Sequence, residues 1–404
     1  MPQDKHAREA VILGSARTPQ GKFLGTLSSL TAADLGKIAV RAALERSKIN
    51  AADIDEVILG NVVSAGVGQA LPRQISIGAG IPDSVGGVTI NKVCGSGLKT
   101  VILASSAIKA EDGDLFVTGG VESMSRAPYL NDSIRQGNKY GPVQLRDSLQ
   151  TDGLWCSLCD WGMGSAAEFI GKQFNISRAA MDEFAVRSHQ LAGQAADSGK
   201  FKAEIAPVTI SSRKGEAIID QDEPIRRDTT LEALSKLPAA FEKDGAVTAG
   251  NAPGMNDGAA ALVVASRDYA EKHGHQPVAR IVGYGQAAVE PAWIFYAPVK
   301  AVPIALAKAG WTMEDVDLFE FNEAFAAQVL ADAEGLKRDG YELPLEKLNV
   351  NGGAIALGHP LGASGARVLI TLIHALQDRG LKRGLAALCL GGAEAVALAV
   401  ELEN

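Results

Sequence analysis

Short apolar strands alternate with amphipathic helices at both ends of this chain, and a long middle stretch of different character interrupts the pattern. Residues 9–14, 56–60, 88–90 and 114–119 read as buried strands, 98–107 as a helix, and 30–47 as a helix opened by Thr31 and Asp34. The pattern returns with strands at 278–283 and 318–321, helices at 299–310 and 364–378, and a terminal strand pair at 385–389 and 394–401. Such alternation predicts a mixed or parallel sheet with helices on its faces, built twice. From about 124 to 250 the chain differs, with aromatic and polar clusters, an Arg-rich segment at 224–228, a helix at 177–193 and frequent Gly/Pro breaks. This stretch predicts an inserted loop domain. The repeat is architectural, without strong residue-by-residue self-similarity.

At 404 residues the chain is too long for one ordinary core. A net charge of −8 argues against a general nucleic-acid binder, so an anionic ligand needs local basic groups. No apolar run reaches the ~18 residues of a membrane helix. The first ten residues carry charges but no apolar core of a secretory signal. Four cysteines without such a signal point to free thiols in a reducing, cytoplasmic setting.

Two of these cysteines stand among glycines. Cys94 lies in Asn91-Lys-Val-Cys-Gly-Ser-Gly-Leu-Lys-Thr100, at a strand-to-helix turn. A thiol at a helix N-terminus feels a positive field that stabilises the thiolate, and Gly95 and Gly97 let a carbonyl approach backbone N–H groups. Taken locally, a small buried hydrophobe fits Cys94 about as well as a nucleophile. His359 lies in Asn351-Gly-Gly-Ala-Ile-Ala-Leu-Gly-His-Pro-Leu-Gly-Ala-Ser-Gly365, where an imidazole can take a thiol's proton or cap the following helix. Cys389, in Leu388-Cys-Leu-Gly-Gly-Ala393, reads as an acid–base thiol or a strand-end core residue. Asn322, in Asn322-Glu-Ala-Phe-Ala326, can orient a water, donate to an enolate oxygen, or cap a helix.

The remaining candidates are plainer. His6, His189, His273, His275 and His374 sit in charged or helical contexts and read as surface residues. Glu122 and Glu323 read as structural hydrogen-bond partners. Cys156 and Cys159 form one Cys-Ser-Leu-Cys without further ligands, so no metal site is expected; two incidental thiols fit better than a redox dithiol.

The four motifs in this order resemble the thiolases, and the resemblance runs from Ser15-Ala-Arg-Thr-Pro19 through Gly119-Gly-Val-Glu-Ser-Met-Ser-Arg-Ala-Pro128 to the terminal strand. It implies duplicated α/β halves with mixed five-stranded sheets, layered αβαβα, with an inserted loop domain. The units would be 1–123 with 255–276 returning to it, 124–254, and 277–404. It implies an acyl-CoA C-acyltransferase of fatty acid metabolism, working by ping-pong condensation of acyl-CoAs or CoA-dependent thiolysis of a 3-ketoacyl-CoA. Cys94 would carry the acyl group, His359 would accept the thiol proton, and Cys389 would take the α-proton. Asn322 with a held water, His359, and the N–H groups of Cys94 and Gly391 would face the oxyanions. Arg226 would meet the CoA nucleotide, and Met163, Phe241, Pro253 and Phe325 would line the acyl and pantetheine site. Coenzyme A and acyl-CoA are then substrates with no bound cofactor, no nucleic-acid or membrane partner is implied, and the assembly would be a homodimer or homotetramer.

Three motifs depart from the family. Gly162-Met163-Gly164 stands where short-chain members have His-Met-Gly. Gly250-Asn-Ala-Pro-Gly254 replaces a hydroxyl with Pro253, and Cys389-Leu-Gly-Gly-Ala-Glu-Ala395 replaces two glycines and adds a charge. These departures leave open a thiolase-like acyl-CoA-binding protein with little turnover. A ketoacyl-synthase type of condensing enzyme is the other alternative, and the second cysteine argues against it.

Overall fold

The computed structural model describes residues 8–212 and 215–403, so His6 lies outside the described residues. Chain order begins with β1 (Ala10–Arg17), α1 (Ala32–Ser47), β2 (Glu56–Gly60), α2 (Leu71–Ala79), β3 (Gly86–Ile90), α3 (Ser96–Ala110) and β4 (Leu115–Ser123). A middle region carries α4 (Met163–Gln173) and α5 (Arg178–Asp197). The chain then runs through β5 (Asn256–Ser266), β6 (Ala279–Ala288), α6 (Ala297–Ala309), β7 (Leu318–Phe321) and α7 (Ala326–Arg338). It ends with α8 (Leu361–Arg379), β8 (Arg383–Leu390) and β9 (Glu394–Leu402).

Local chemistry sets these limits. Thr31 and Asp34 form a reciprocal capping box at the start of α1, and Lys48 ends the helix with φ +56°. β4 and β5 are buried along their whole length, which explains their continuous small and apolar runs. α8 is buried on every side over 361–373 because it lies between two sheet halves. Its one charge there, Arg367, is paired with Glu320 at 2.9 Å. The helical stretch Pro291–Ala309 is long and apolar enough to cross a membrane. It packs on β6 and β9 with Val299, Val302, Ala305 and Leu306 buried, as a core helix does.

The strands join edge to edge in the order β7-β8-β9-β6-β1-β5-β4-β2-β3, with Gly21–Lys22 added beside β5. The two halves meet at β1 and β6, where Val11 pairs with Arg280 and Ile12 with Ala279. Outward from that junction the halves repeat: β1-β5-β4-β2-β3 on one side and β6-β9-β8-β7 on the other. Leu348 bridges to Phe319 where a fifth strand of the second half would lie. The pairs β2/β4 and β7/β8 are parallel. Two mixed sheets therefore form one hydrogen-bonded surface, five strands in the first half and four in the second.

α1 and α2 cover the outer face of the first half, and α3 and α8 fill the space between the halves. α6, α7 and the middle region cover the second half. The central helices touch backbone to backbone: a Cβ on Gly97 would stand 2.7 Å from Ala366 N, and one on Gly365 2.4 Å from Leu98 N. Only glycine permits that approach, and it draws the starts of α3 and α8 together. The middle region is anchored by buried Arg17, which pairs with Glu204 at 2.7 Å and Asp222 at 2.6 Å.

Candidate active site

The turn before α3 carries Cys94. Val93, the residue before it, has φ +46°, a strained conformation for a β-branched side chain. The thiol is partly buried among Val62, Val63, Met124, Leu149, Leu154 and Leu361. Burial pushes the Cys94 thiol up to about 12, even though the N–H groups of Gly391 and of Cys94 itself favour the thiolate. This corrects the expectation of a helix-stabilised thiolate. Cys94 precedes the cap residue Gly95, and desolvation outweighs the field of the helix end.

His359 stands just before α8, fixed by its backbone N–H, which donates to Asn256 Oδ1 at 2.9 Å. Ser364 Oγ donates to Pro360 O at 2.9 Å and lies 2.6 Å from His359 Nδ1. The hydroxyl has one proton, so it accepts from Nδ1–H and leaves the lone pair on Nε2. Asn322 Nδ2 lies 3.5 Å from that Nε2. Burial, with Arg367 adding to it, holds the His359 imidazole down to about 3, so it is neutral. Asn322 is itself buried, and its Oδ1 has no protein partner among the described residues. That oxygen can take a donor from water or ligand.

Cys389 sits near the end of β8, 1% exposed, and burial pushes its thiol well up, with Asp332 and Cys94 adding to the rise. Asn322 N donates to Ala387 O at 3.0 Å, tying the Asn322 turn to the Cys389 strand. Cys94, Cys389, Gly391, Asn322 and His359 thus meet where α3, α8, β7 and β8 converge. Glu122 accepts from Asn61 Nδ2 and from the N–H groups of Val62, Val63 and Gly362 at 2.9–3.1 Å. Glu323 accepts from Ser188, Asn349 and Ile355 N. Both glutamates are structural, in agreement with the sequence reading.

Met163, Phe241 and Phe325 come together. The rings of Phe241 and Phe325 meet edge to face with centroids 6.1 Å apart. A Cβ on Gly164, beside Met163, would enter the Phe241 ring at 2.1 Å. Ala326 N donates to Asn251 O at 3.0 Å, which brings the Pro253 segment alongside. Arg226 is exposed, and its guanidinium makes no ion pair among the described residues. His189 corrects a second expectation: it is 3% exposed and accepts the Arg226 N–H on Nδ1 at 3.1 Å. α5 turns it inward against the middle region. His273 and His275 do stack on Tyr269 near the surface, whereas His374 is half-buried. The sequence reading gave no role to Ser364 or Asn256, nor to Leu149 and Leu154 beside Cys94.

Residues 10–268 match the thiolase N-terminal domain and residues 275–402 the thiolase C-terminal domain. The acetyl-CoA acetyltransferase of Syntrophomonas wolfei is 48% identical over 98% of this chain and 99% of its own length. That of Escherichia coli is 48% identical over 98% of this chain and 100% of its own. Among solved structures, the Bacillus anthracis acetyl-CoA acetyltransferase superposes with a TM-score of 0.95 at 41% identity, covering 99% of this chain and 100% of that one. The Syntrophomonas wolfei structure gives 0.96 at 41% identity, with 98% and 100% covered. The chain belongs to the thiolase family.

Proposed function

We propose that the chain is an acyl-CoA C-acyltransferase that uses Cys94 as acyl carrier and Cys389 as the α-carbon base. The observation that carries this reading is the packing of the turn after Cys389 on the Cys94 turn, where a Cβ on Gly391 would stand 2.9 Å from Val93 Cγ1. That turn can serve both half-reactions. Cys94 attacks the thioester carbonyl of one acyl-CoA, its proton passes to His359 Nε2, and CoA leaves as the thiol. Both groups start neutral, so proton transfer accompanies attack rather than preceding it. Cys389, its own proton passed to the freed His359, takes the α-proton of a second acyl-CoA. The carbanion attacks the acyl-Cys94 carbonyl to give a 3-ketoacyl-CoA, and Cys94 leaves as the thiol on taking the proton back from His359. In reverse, CoA thiolysis cleaves that product. The N–H groups of Gly391 and Cys94 would stabilise one oxyanion, and Asn322 with His359 the other.

The CoA arm would lie against Met163, Phe241, Phe325 and Pro253, with the unpaired Arg226 toward the nucleotide. The cycle as written uses the thioester alone, without a bound cofactor. Four free cysteines suit a reducing, cytoplasmic setting for acyl-CoA and fatty acid metabolism. Self-association into a dimer or tetramer is supported by β3, which ends the sheet with an open edge and Val88 38% exposed. Light scattering would check the assembly. Thiolysis of acetoacetyl-CoA by free CoA tests the activity: steady turnover is expected, and CoA binding without turnover would favour a binding protein instead.

A further inference from the structure

The mechanism above leaves Lys92 and Glu394 without a role, yet they form an ion pair between the two catalytic turns. Lys92 lies two residues before Cys94, and Glu394 five after Cys389, at the first position of β9. Their side chains are 20% and 36% exposed. Beneath the pair, the two turns interlock. A Cβ on Gly391 would stand 2.9 Å from Val93 Cγ1, and one on Gly95 2.4 Å from Leu390 Cδ2. Both turns hold a non-glycine residue at positive φ, Val93 at +46° and Ala393 at +60°. Such turns relax unless their surroundings hold them. Among the described residues, Lys92–Glu394 is the only ion pair joining these two turns.

We propose that Lys92 and Glu394 are positioning residues that clamp the Cys94 turn to the Cys389 turn and so keep Gly391 packed on Val93, beside the Cys94 sulfur. This rests on the assignment of Cys94 and Cys389 given above. The two partners are not equivalent. Lys99, on α3, feels Lys92 as a like charge and Glu394 as an opposite one. Neutralising Glu394 leaves Lys92 and Lys99 as like charges without the carboxylate that offsets them, whereas neutralising Lys92 leaves Glu394 still balanced by Lys99. Glu394→Gln therefore does more harm than Lys92→Met.

The test follows acetylation of Cys94 by acetyl-CoA in rapid-quench mass spectrometry, with amide exchange of the segments around 91–95 and 389–394. Glu394→Gln should slow acetylation roughly tenfold and Lys92→Met roughly threefold, the span of a partly exposed pair plus one misplaced donor. Exchange should rise in both segments together. The reversed pair, Lys92→Glu with Glu394→Lys, should regain most of the rate and the protection. Wild-type acetylation in both neutral variants overturns the clamp, and so does a folded reversed pair that stays as slow as Glu394→Gln. Amide exchange needs no turnover. If wild-type Cys94 took no acetyl group, the catalytic assignment would fail, and unchanged exchange in the variants would separately sink the clamp.

Discussion

Replacing Ser364 by Ala tests the base assignment at a residue that cannot touch substrate. Ser364 is 1% exposed and lies behind the imidazole, 2.6 Å from Nδ1. Its proton goes to Pro360 O, so it is the acceptor that keeps the other proton on Nδ1 and the lone pair on Nε2. Without it, a buried Nδ1–H has no partner, at a cost of about 1–3 kcal/mol. The loss grows when the ring becomes an imidazolium, because a hydrogen bond from a charged donor is roughly twice as strong as a neutral one. A differential of about 1.5–3 kcal/mol between ground and transition state slows acylation by roughly tenfold to a hundredfold. KM for acyl-CoA should hardly move.

Rapid-quench acetylation of Cys94 at saturating acetyl-CoA reads the acylation rate directly, and Ser364→Thr, which keeps the hydroxyl, should stay close to wild type. An unchanged acylation rate in Ser364→Ala would refute the reasoning, as would a raised KM with the rate constant intact. Either result would mean that Nδ1–H does not set the reactive nitrogen.

Three other outcomes can be checked. Cys94→Ala should abolish both acyl exchange and thiolysis, whereas Cys389→Ala should keep acetylation of Cys94 and lose condensation; equal loss of both half-reactions in Cys389→Ala would make that cysteine structural. Gly162→His should tighten CoA binding roughly threefold to tenfold by calorimetry, since a Cβ there meets only the Trp155 ring at 3.8 Å; Pro253→Ser should act likewise, and unchanged binding in both would show a site reshaped for another acyl group. The third concerns pH. Burial, with Arg226 adding to it, holds His189 down to about 4, below its ordinary 6.5. The unfolded chain then binds more protons between those values, so stability is intact above pH ~6.5 and falls as the pH drops toward 4, by at most about 3 kcal/mol from this residue. His189→Asn, which keeps an acceptor for the Arg226 N–H, should flatten that acid limb of melting temperature, and an unaltered limb would exclude His189 as its source.

How far the site was legible in the sequence depended on how local each signal is. Cys94, His359, Asn322 and Cys389 announce themselves because each turn that aims them needs its own glycines or a fixed neighbour. Ser364 was visible in the His359 motif, but its role arises from one turn of α8 folding back on the imidazole. Glu394 read only as an added charge, since its partner Lys92 is 302 residues away. The thiolate expectation failed because a helix end is written in sequence and desolvation is not. His189 failed for a related reason: its neighbours on α5 are polar, and only packing against the middle region turns it inward.

The duplication gives the two halves comparable strand ends with different contents. In the first half Gly60 pairs with Gly120, which puts Asn61 and Glu122 one and two residues beyond the register. In the second half Phe321 pairs with Ala387, which puts Asn322 and Cys389 at the same offsets. Cys94 and His359 repeat the relation at the helices, each two residues before α3 or α8 begins. The register offset is shared but the sheet face is not: Gly60 and Gly120 face the starts of α3 and α8, whereas Phe321, Ala387 and Cys389 lie in the core beneath α6 and α7. In the first half Asn61 and Glu122 hydrogen-bond each other, and Glu122 holds the Gly362 N–H at the start of α8. In the second half Asn322 Nδ2 instead lies 3.5 Å from His359 Nε2, and Asn61 and Asn322 alike keep an Oδ1 without a protein partner among the described residues. The first half thus uses Asn61 and Glu122 to lock the start of α8. Glu122→Gln should therefore loosen the α8 start and lower melting temperature while Cys94 remains acetylable. Loss of acetylation with an unchanged melting temperature would instead place Glu122 in the chemistry.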